Sequence, residues 1–286
     1  MNSAKLDPRI NAFRSDLADA SLRAFVEADR FVEGSFHQCV RGLVPVWKEP
    51  REGAERVSEI RYGEFLDVFE TRSDGFLWIQ NRADHYVGYI RDLHVLNESI
   101  ASLSNRIKAL SSFVYAEPDL KSPVLDRLTL GSYVTLSHEE GAYVELASGG
   151  YVYAAHVTPA EEAIVPDYVF TAGRLLGVPY LWGGRSPLGI DCSGLVQLAL
   201  NMAGYEEAPR DSDLQREAYG RALSTHWRDI AWERGDIVFF KGHIGLMTSH
   251  DHMIHASARA MQVVVEPLVD VVQTAGEIIA IGRPSY

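Results

Sequence analysis

With 286 residues the chain is long enough for two or three compact domains, and it holds no apolar run that would cross a membrane as a helix. Its 27 Lys and Arg against 39 Asp and Glu give a net charge of -12, which argues against a polyanionic partner such as nucleic acid. The two cysteines, Cys39 and Cys192, stand far apart, so no disulfide framework is expected and the cytoplasm, a reducing compartment, is the expected location.

The first residues contain Asp7, Arg14, Asp16 and Asp19 where an export signal needs an unbroken apolar core, so none is read there. Residues 11–28 place Phe13, Leu17, Leu22, Phe25 and Val26 at helical spacing, which predicts an amphipathic helix and assigns 1–34 to an N-terminal helical segment. From 40 to about 96, short alternating runs (LVPVW, EFLDVFET, FLWIQN, YVGYI) are separated by turns such as Ser73-Asp74-Gly75. They predict a small antiparallel barrel, assigned to 35–98. The texture then recurs, with GSYVTLSHEEGAYVELASGGYVYAAHV aligning loosely with GEFLDVFETRSDGFLWIQNRADHYVGYI and Gly131 taking the place of Gly63. A second barrel is expected over 99–158, entered through a linker helix at 101–109.

After Pro159 helical patterns come first. AEEAIVPDYVFTAGRLLG has Pro166 early, Val169, Ala172 and Leu176 on one face, and Gly177 at its end. A buried helix is expected from Cys192 to Gly204 and a capped helical piece around 212–219. Strand-like runs follow at 236–240, 243–249, 252–257, 261–268 and 278–284. Helices followed by an antiparallel sheet make 159–286 an α+β domain and not a Rossmann type. The chain lacks a GxGxxG loop at a strand-to-helix junction, so no nucleotide cofactor is expected.

The stretch 180–196, YLWGGRSPLGIDCSGLV, runs a glycine-rich segment into a helix whose first turn carries Cys192. Unpaired amides and the helix dipole favour a thiolate there, the species that attacks carbonyl carbon. Such a nucleophile needs a base and a group to fix that base. His243 and His255 lie two strand lengths apart around a turn, so an antiparallel hairpin brings them side by side. The rival reading, zinc held by His250, His252, His255 and Cys192, fits poorly because strand alternation turns His255 away from the other two. No metal is expected, and His250 and His252 beside Asp251 read as a solvated turn.

YLWGGRSPLGIDCSGLV, followed by PRDSDLQ, RGDIVFFKGHIGL and MIHAS, resembles the NlpC-type cysteine peptidases of bacterial cell-wall metabolism. With two SH3-like barrels in front, the chain is similar to their γ-D-glutamyl-L-diamino acid endopeptidase group. The resemblance implies a papain-like core with Cys192 as nucleophile, His243 as general base and His255 as the polar third residue. It also implies that Asp191 receives the substrate amine and that the Ser193 backbone N–H faces the oxyanion. Tyr86 in DHYVGYI would close the site, and Glu59 in SEIRYGE would bind the free amino terminus, with Glu64 the competing assignment. Arg210, Asp211, Ser212 and Gln215 would form a substrate-side loop with Ser212 as direct contact, while Trp182 and Gly183-Gly184 would shape the wall. The group usually has Asp-Gly-Tyr where this chain has Asp84-His85-Tyr86, and the second barrel reads as structural unless Tyr151 or Tyr153 reaches a cleft.

The implied reaction is hydrolysis of the γ-D-glutamyl bond in small murein peptides of the form L-Ala-γ-D-Glu-diamino acid, with meso-diaminopimelate or lysine as the diamino acid. It would serve cell-wall peptide recycling without cofactor, membrane insertion or obligate protein partner. Two alternatives stand beside it, a thiol-dependent peptidyl or acyl transferase and a non-catalytic murein-peptide binding protein. The intact Cys192, His243 and His255 argue against the second.

Overall fold

A computed structural model describes residues 6–97, 103–205, 207–223 and 225–284. The chain divides into two compact units between Glu162 and Ala163. The first unit is almost wholly β. Its leading part is a seven-stranded antiparallel sheet in the order Arg56–Arg61, Leu43–Trp47, Val87–Arg91, Phe76–Asn81, Phe65–Thr71, Ser35–Cys39, Leu96–Asn97. Period-two alternation sends Val44, Val46, Leu66, Val68, Leu77 and Ile79 inward, where they pack with Cys39, Ile60 and Ile90. A second β region follows, with its own core of Ile107, Val114, Leu128, Val134, Val144, Leu146, Val152 and Val157.

The two regions share a turn. Gly63 (φ 85°) donates its N–H to Cys39 O and Gly131 (φ 84°) donates to Ile107 O, each at 2.9 Å. The next residue, Glu64 or Ser132, donates to the carbonyl three back, Arg61 or Thr129, and its side chain accepts from that residue's N–H. The left-handed backbone is the reason both positions are glycine.

The N-terminal helix expected over residues 11–28 does not form. A parallel bridge between Ala18–Asp19 and Phe31–Val32 and a 3-10 turn at Ala20–Leu22, capped by Asp19, take its place. Tertiary contacts override the periodicity. Leu17 is 1% exposed beside Phe69, Phe76, Trp78 and Tyr89 on the outer face of the sheet, whereas Phe25, on the same expected stripe, is 73% exposed. Arg14 fixes the segment, its guanidinium 4.3 Å from the Trp78 ring centroid and bonded to Glu70 and the Tyr89 hydroxyl. The expected linker helix is also corrected: Asn105–Ile107 is a strand between Tyr133–Val134 and Val157–Pro159, with Ile107 buried, while Ala101 and Ser102 lie outside the described residues.

The second unit is α+β. Helices α1 (Tyr168–Gly173), α2 (Cys192–Met202) and α3 (Ser212–Tyr219) precede most of a six-stranded antiparallel sheet. Its order is Gly220–Arg221, Ile278–Gly282, Ile237–Phe240, His243–Met247, His252–Ser257, Gln262–Pro267. Every residue of α2 is buried, and the helix packs on the strands that carry His243 and His255. Beyond Gln262–Pro267 lies an unanticipated helix, α4 (Leu268–Ala275), whose Leu268 and Val271 close a core with Trp232, Val238, Phe240, Met247, Met253 and Ile278. Because α1 ends at Gly173, Leu176 falls past the helix and is exposed. Among the described residues no helix is long and apolar enough to cross a membrane.

A Cβ at Gly63 would lie 2.2 Å from Tyr133 O on a left-handed backbone. Gly63→Ala should therefore cost at least about 1–2 kcal/mol of stability in urea denaturation, and an unchanged midpoint would contradict the shared-turn geometry.

Candidate active site

Cys192 is the first residue of α2, and Asp191 caps that helix. The Asp191 carboxylate accepts from Gly194 N–H at 2.7 Å, Ser193 Oγ at 3.2 Å and Gly183 N–H at 2.9 Å. It also meets Arg210 as a fork, Nη1 to Oδ1 at 3.0 Å and Nη2 to Oδ2 at 2.6 Å. Arg210 Nη1 donates in addition to Ser193 Oγ at 2.9 Å. Arg210, expected on the substrate side, thus faces inward at 1% exposure and clamps the start of the nucleophile helix.

Glycines make this approach possible. A Cβ on Gly194 would lie 2.2 Å from Gly184 O, and one on Gly184 would lie 2.4 Å from Gly189 O. Gly183 itself is left-handed (φ 75°) and aims its N–H at Asp191. Gln215 of α3, also expected in the substrate loop, is buried and donates to Ser193 O at 2.9 Å and Pro209 O at 2.7 Å. Ser212 opens α3 half-buried, and Trp182 stands 59% exposed at the rim.

The hairpin brings the two histidines together. His243 Nε2 lies 2.8 Å from His255 Nδ1, with ring centroids 4.9 Å apart. They are not directly opposite. Leu246 pairs with Ile254, so the register sets His255 against Gly245 and makes His243 a diagonal neighbour on the same face. A Cβ on Gly245 would come within 2.9 Å of the His255 Cβ, so glycine leaves room for that ring.

Electrostatics in the site oppose charge. Cys192 is 8% exposed, and burial pushes its thiol up to about 12, with Asp191 adding to the shift. Arg210 and the backbone amides of Ile244 and Ser193 pull the other way. The thiolate expected from the helix start alone is therefore not the resting form. Burial, reinforced by His255, lowers His243 to about 3, so the imidazole rests neutral and the thiol protonated. Burial likewise lowers His255, against the pull of Glu266.

Two neighbours were not anticipated. Tyr180 has its phenol raised by burial and, to a smaller degree, by the neighbouring Cys192 and Asp191. Glu266 Oε2 lies 3.0 Å from His255 Nε2. Its signal was a single acid after the apolar run VVV in the strand QVVVEP, at even spacing from Val264, the residue opposite His255. His250 and His252 sit with Asp251 at an exposed turn.

Glu59, Glu64 and Tyr86 belong to the first unit. Both carboxylates are buried, Glu59 accepting from Arg56 at 2.8 Å and Glu64 from the Arg61 guanidinium at 2.8 and 3.0 Å. Tyr86 is buried in a turn where its N–H donates to Asp84 Oδ1 at 3.1 Å. His85 before it is left-handed (φ 59°), a backbone that favours glycine, which the Asp-Gly-Tyr expected from the resemblance would supply. Cys39 is a free thiol in the first core, and burial raises it to about 12. Tyr151 is half-buried and Tyr153 exposed on the second sheet, whose outer face also carries Tyr143.

Residues 177–275 match the profile of the NlpC/P60 family, and residues 46–94 match that of a bacterial dipeptidyl-peptidase SH3 domain. The chain is 31% identical over 247 residues to dipeptidyl-peptidase 6 of Lysinibacillus sphaericus, covering 79% of this chain and 89% of that one. It is 27% identical over 175 residues to a γ-D-glutamyl-L-lysine dipeptidyl-peptidase of Bacillus subtilis, covering 57% of this chain and 56% of the relative. A crystal structure of an NlpC/P60 family protein from Bacillus cereus superposes with a TM-score of 0.69 at 18% identity, covering 87% of this chain and 99% of that one. One SH3-like stretch is matched, where two were expected.

Removing the fork leaves a buried carboxylate uncompensated, so Arg210→Met should cost about 3–5 kcal/mol, with Asp191→Asn in the same chain recovering part of it. Additive losses in that cycle would contradict the clamp. His243 takes up its proton near 6.5 when unfolded and near 3 when folded, so the unfolded state binds more protons between those values. Its contribution to stability is present above the upper value and is lost as pH falls toward the lower one. His243→Gln should flatten the acid limb of the stability profile, and an unaltered limb would contradict a neutral buried imidazole.

Proposed function

Because the chain belongs to the NlpC/P60 family of cysteine peptidases, we propose that it hydrolyses the γ-D-glutamyl amide bond of small murein peptides that begin with L-Ala and continue to a diamino acid. The carrying observation is the 2.8 Å pair of His243 and His255 on strands packed against α2, the helix that opens with Cys192. The relative named for γ-D-glutamyl-L-lysine supports lysine as the diamino acid, with meso-diaminopimelate the alternative.

In this reaction His243 removes the Cys192 proton as sulfur bonds to the γ-carbonyl carbon. Proton transfer in concert with attack suits a resting pair of neutral thiol and neutral imidazole, since neither charge is stored in the buried site beforehand. The oxyanion forms at the start of α2, where the Ser193 N–H is available. Collapse breaks the C–N bond, and the amine of the diamino acid leaves with the proton from His243. Water, deprotonated by the same histidine, then attacks the thioester and releases the L-Ala-γ-D-Glu acid and the thiol.

Asp191, Ser193 and Ser212 are assigned to the substrate in the second unit, with Trp182 forming its wall. Arg210 serves it by holding Asp191 in place. A role for Tyr86 in closing the site, and one for Glu59 in binding the free amino terminus, rest on the resemblance of DHYVGYI and SEIRYGE. The turn common to Gly63 and Gly131 supports reading the second β region as another SH3-like module of structural role. A cytoplasmic setting fits two free thiols and a substrate released from the wall.

Cys192→Ala should lower release of the diamino-acid product by about 10⁴-fold or more. N-acetylation of the peptide should abolish cleavage by the unaltered protein. Equal cleavage of free and acetylated peptides would remove Asp191 and Glu59 from their assigned roles. A product carrying an added amine acceptor would turn the reading toward transfer.

A further inference from the structure

The strand that carries His255 is flanked on its far side by Gln262–Pro267, and the register there repeats the geometry of the histidine pair. His255 lies opposite Val264 and Met253 opposite Glu266, so Glu266 is again the diagonal neighbour on the same face. His243, His255 and Glu266 therefore run obliquely across three adjacent strands, joined at 2.8 Å and 3.0 Å. The other Glu266 oxygen, Oε1, is held by the Arg259 guanidinium from the turn between the last two strands.

This chain of contacts has a direction. A carboxylate paired with Arg259 is acceptor-only, so His255 Nε2 must carry the hydrogen that meets it. In a neutral ring the other nitrogen is then bare, and His255 Nδ1 can only accept. His243 Nε2 must therefore donate, which leaves His243 Nδ1 without a proton. That is the nitrogen able to take the Cys192 proton. We propose, on the reading that His243 is the base for Cys192, that Glu266 is a positioning residue that selects through His255 the His243 tautomer with a bare Nδ1.

When His243 gains the thiol proton, no proton has to move along the relay. The imidazolium charge is met through two hydrogen bonds by the Glu266 carboxylate. Arg259 keeps that carboxylate turned so that Oε2, and not Oε1, faces His255. The titratable and charged groups facing His255 are His243 on one neighbouring strand, Glu266 on the other and Arg259 at the turn. Burial keeps both rings in the neutral range the tautomer argument requires.

The decisive experiment is nitrogen-15 NMR of the histidine rings in the full chain, assigned with His243→Gln and His255→Gln. The unaltered protein should show hydrogen on Nε2 and none on Nδ1 at both positions. Glu266→Ala should lose that fixed state, and its kcat should fall about ten-fold at unchanged KM, the rate equivalent of one hydrogen bond to a charged group. It should also shift the acid limb of the rate profile, which a merely structural loss would not move, and Glu266→Asp should restore part of kcat. A bare Nε2 on His255 in the unaltered protein, or the same tautomers in Glu266→Ala, would overturn the proposal. The unaltered protein's spectrum decides even where the variant fails to fold. Cleavage that survives in Cys192→Ala would instead sink the underlying reading, and the ring spectra would distinguish the two failures.

Discussion

The carboxylate of Asp191 is the fixed point of the second unit. One buried side chain caps α2 through Gly194, ties down the glycine-rich loop through Gly183 and receives both Nη groups of Arg210. Each contact alone is modest, but together they set the axis and the first turn of the helix that presents Cys192. A buried ion pair is not by itself strong support for stability, because desolvation offsets much of the attraction. What it supplies here is position: the fork allows only one orientation of Asp191, and Asp191 allows only one start for α2.

Burial then decides the chemistry around that point. A helix start and Arg210 favour a thiolate, yet desolvation and the neighbouring Asp191 outweigh them, and the thiol stays protonated. The same desolvation keeps His243 neutral. Two neutral partners can be stored in a dry site at little electrostatic cost, and charge then develops only as the sulfur attacks. The sheet supplies the complementary geometry, since each diagonal step between strands brings same-face side chains within hydrogen-bonding reach while Gly245 clears the space for His255.

Much of this was legible in sequence because it is local. An aspartate capping a glycine-containing first turn, followed by an apolar run, reads directly as α2, and two histidines twelve residues apart on a short hairpin read as neighbours. The strand runs of the sheet and the paired glycine turns followed from alternation and from the backbone freedom that only glycine has. The failures are long-range or tertiary. Residues 11–28 carry a helical stripe, but Leu17 and Arg14 find better partners on the outer face of a sheet built from residues far downstream. α4 was hidden by its valines, whose β-branching suggests strand until packing on Trp232 and Phe240 overrides it. Arg210 was placed on the substrate side because nothing near it in sequence reveals Asp191 as its partner. Glu266 was one acid at a strand end until the register set it diagonally from His255.

Every part of this account converges on the sulfur of Cys192 as the atom that takes the acyl group. Rapid acid quench of the protein with an L-Ala-γ-D-Glu-diamino acid peptide, followed by intact-mass and fragment analysis, tests that most directly. The account predicts a transient adduct on Cys192 equal in mass to L-Ala-γ-D-Glu less one water, absent from Cys192→Ala. Turnover with no adduct at any time in the burst phase, or an adduct on another residue, would contradict it.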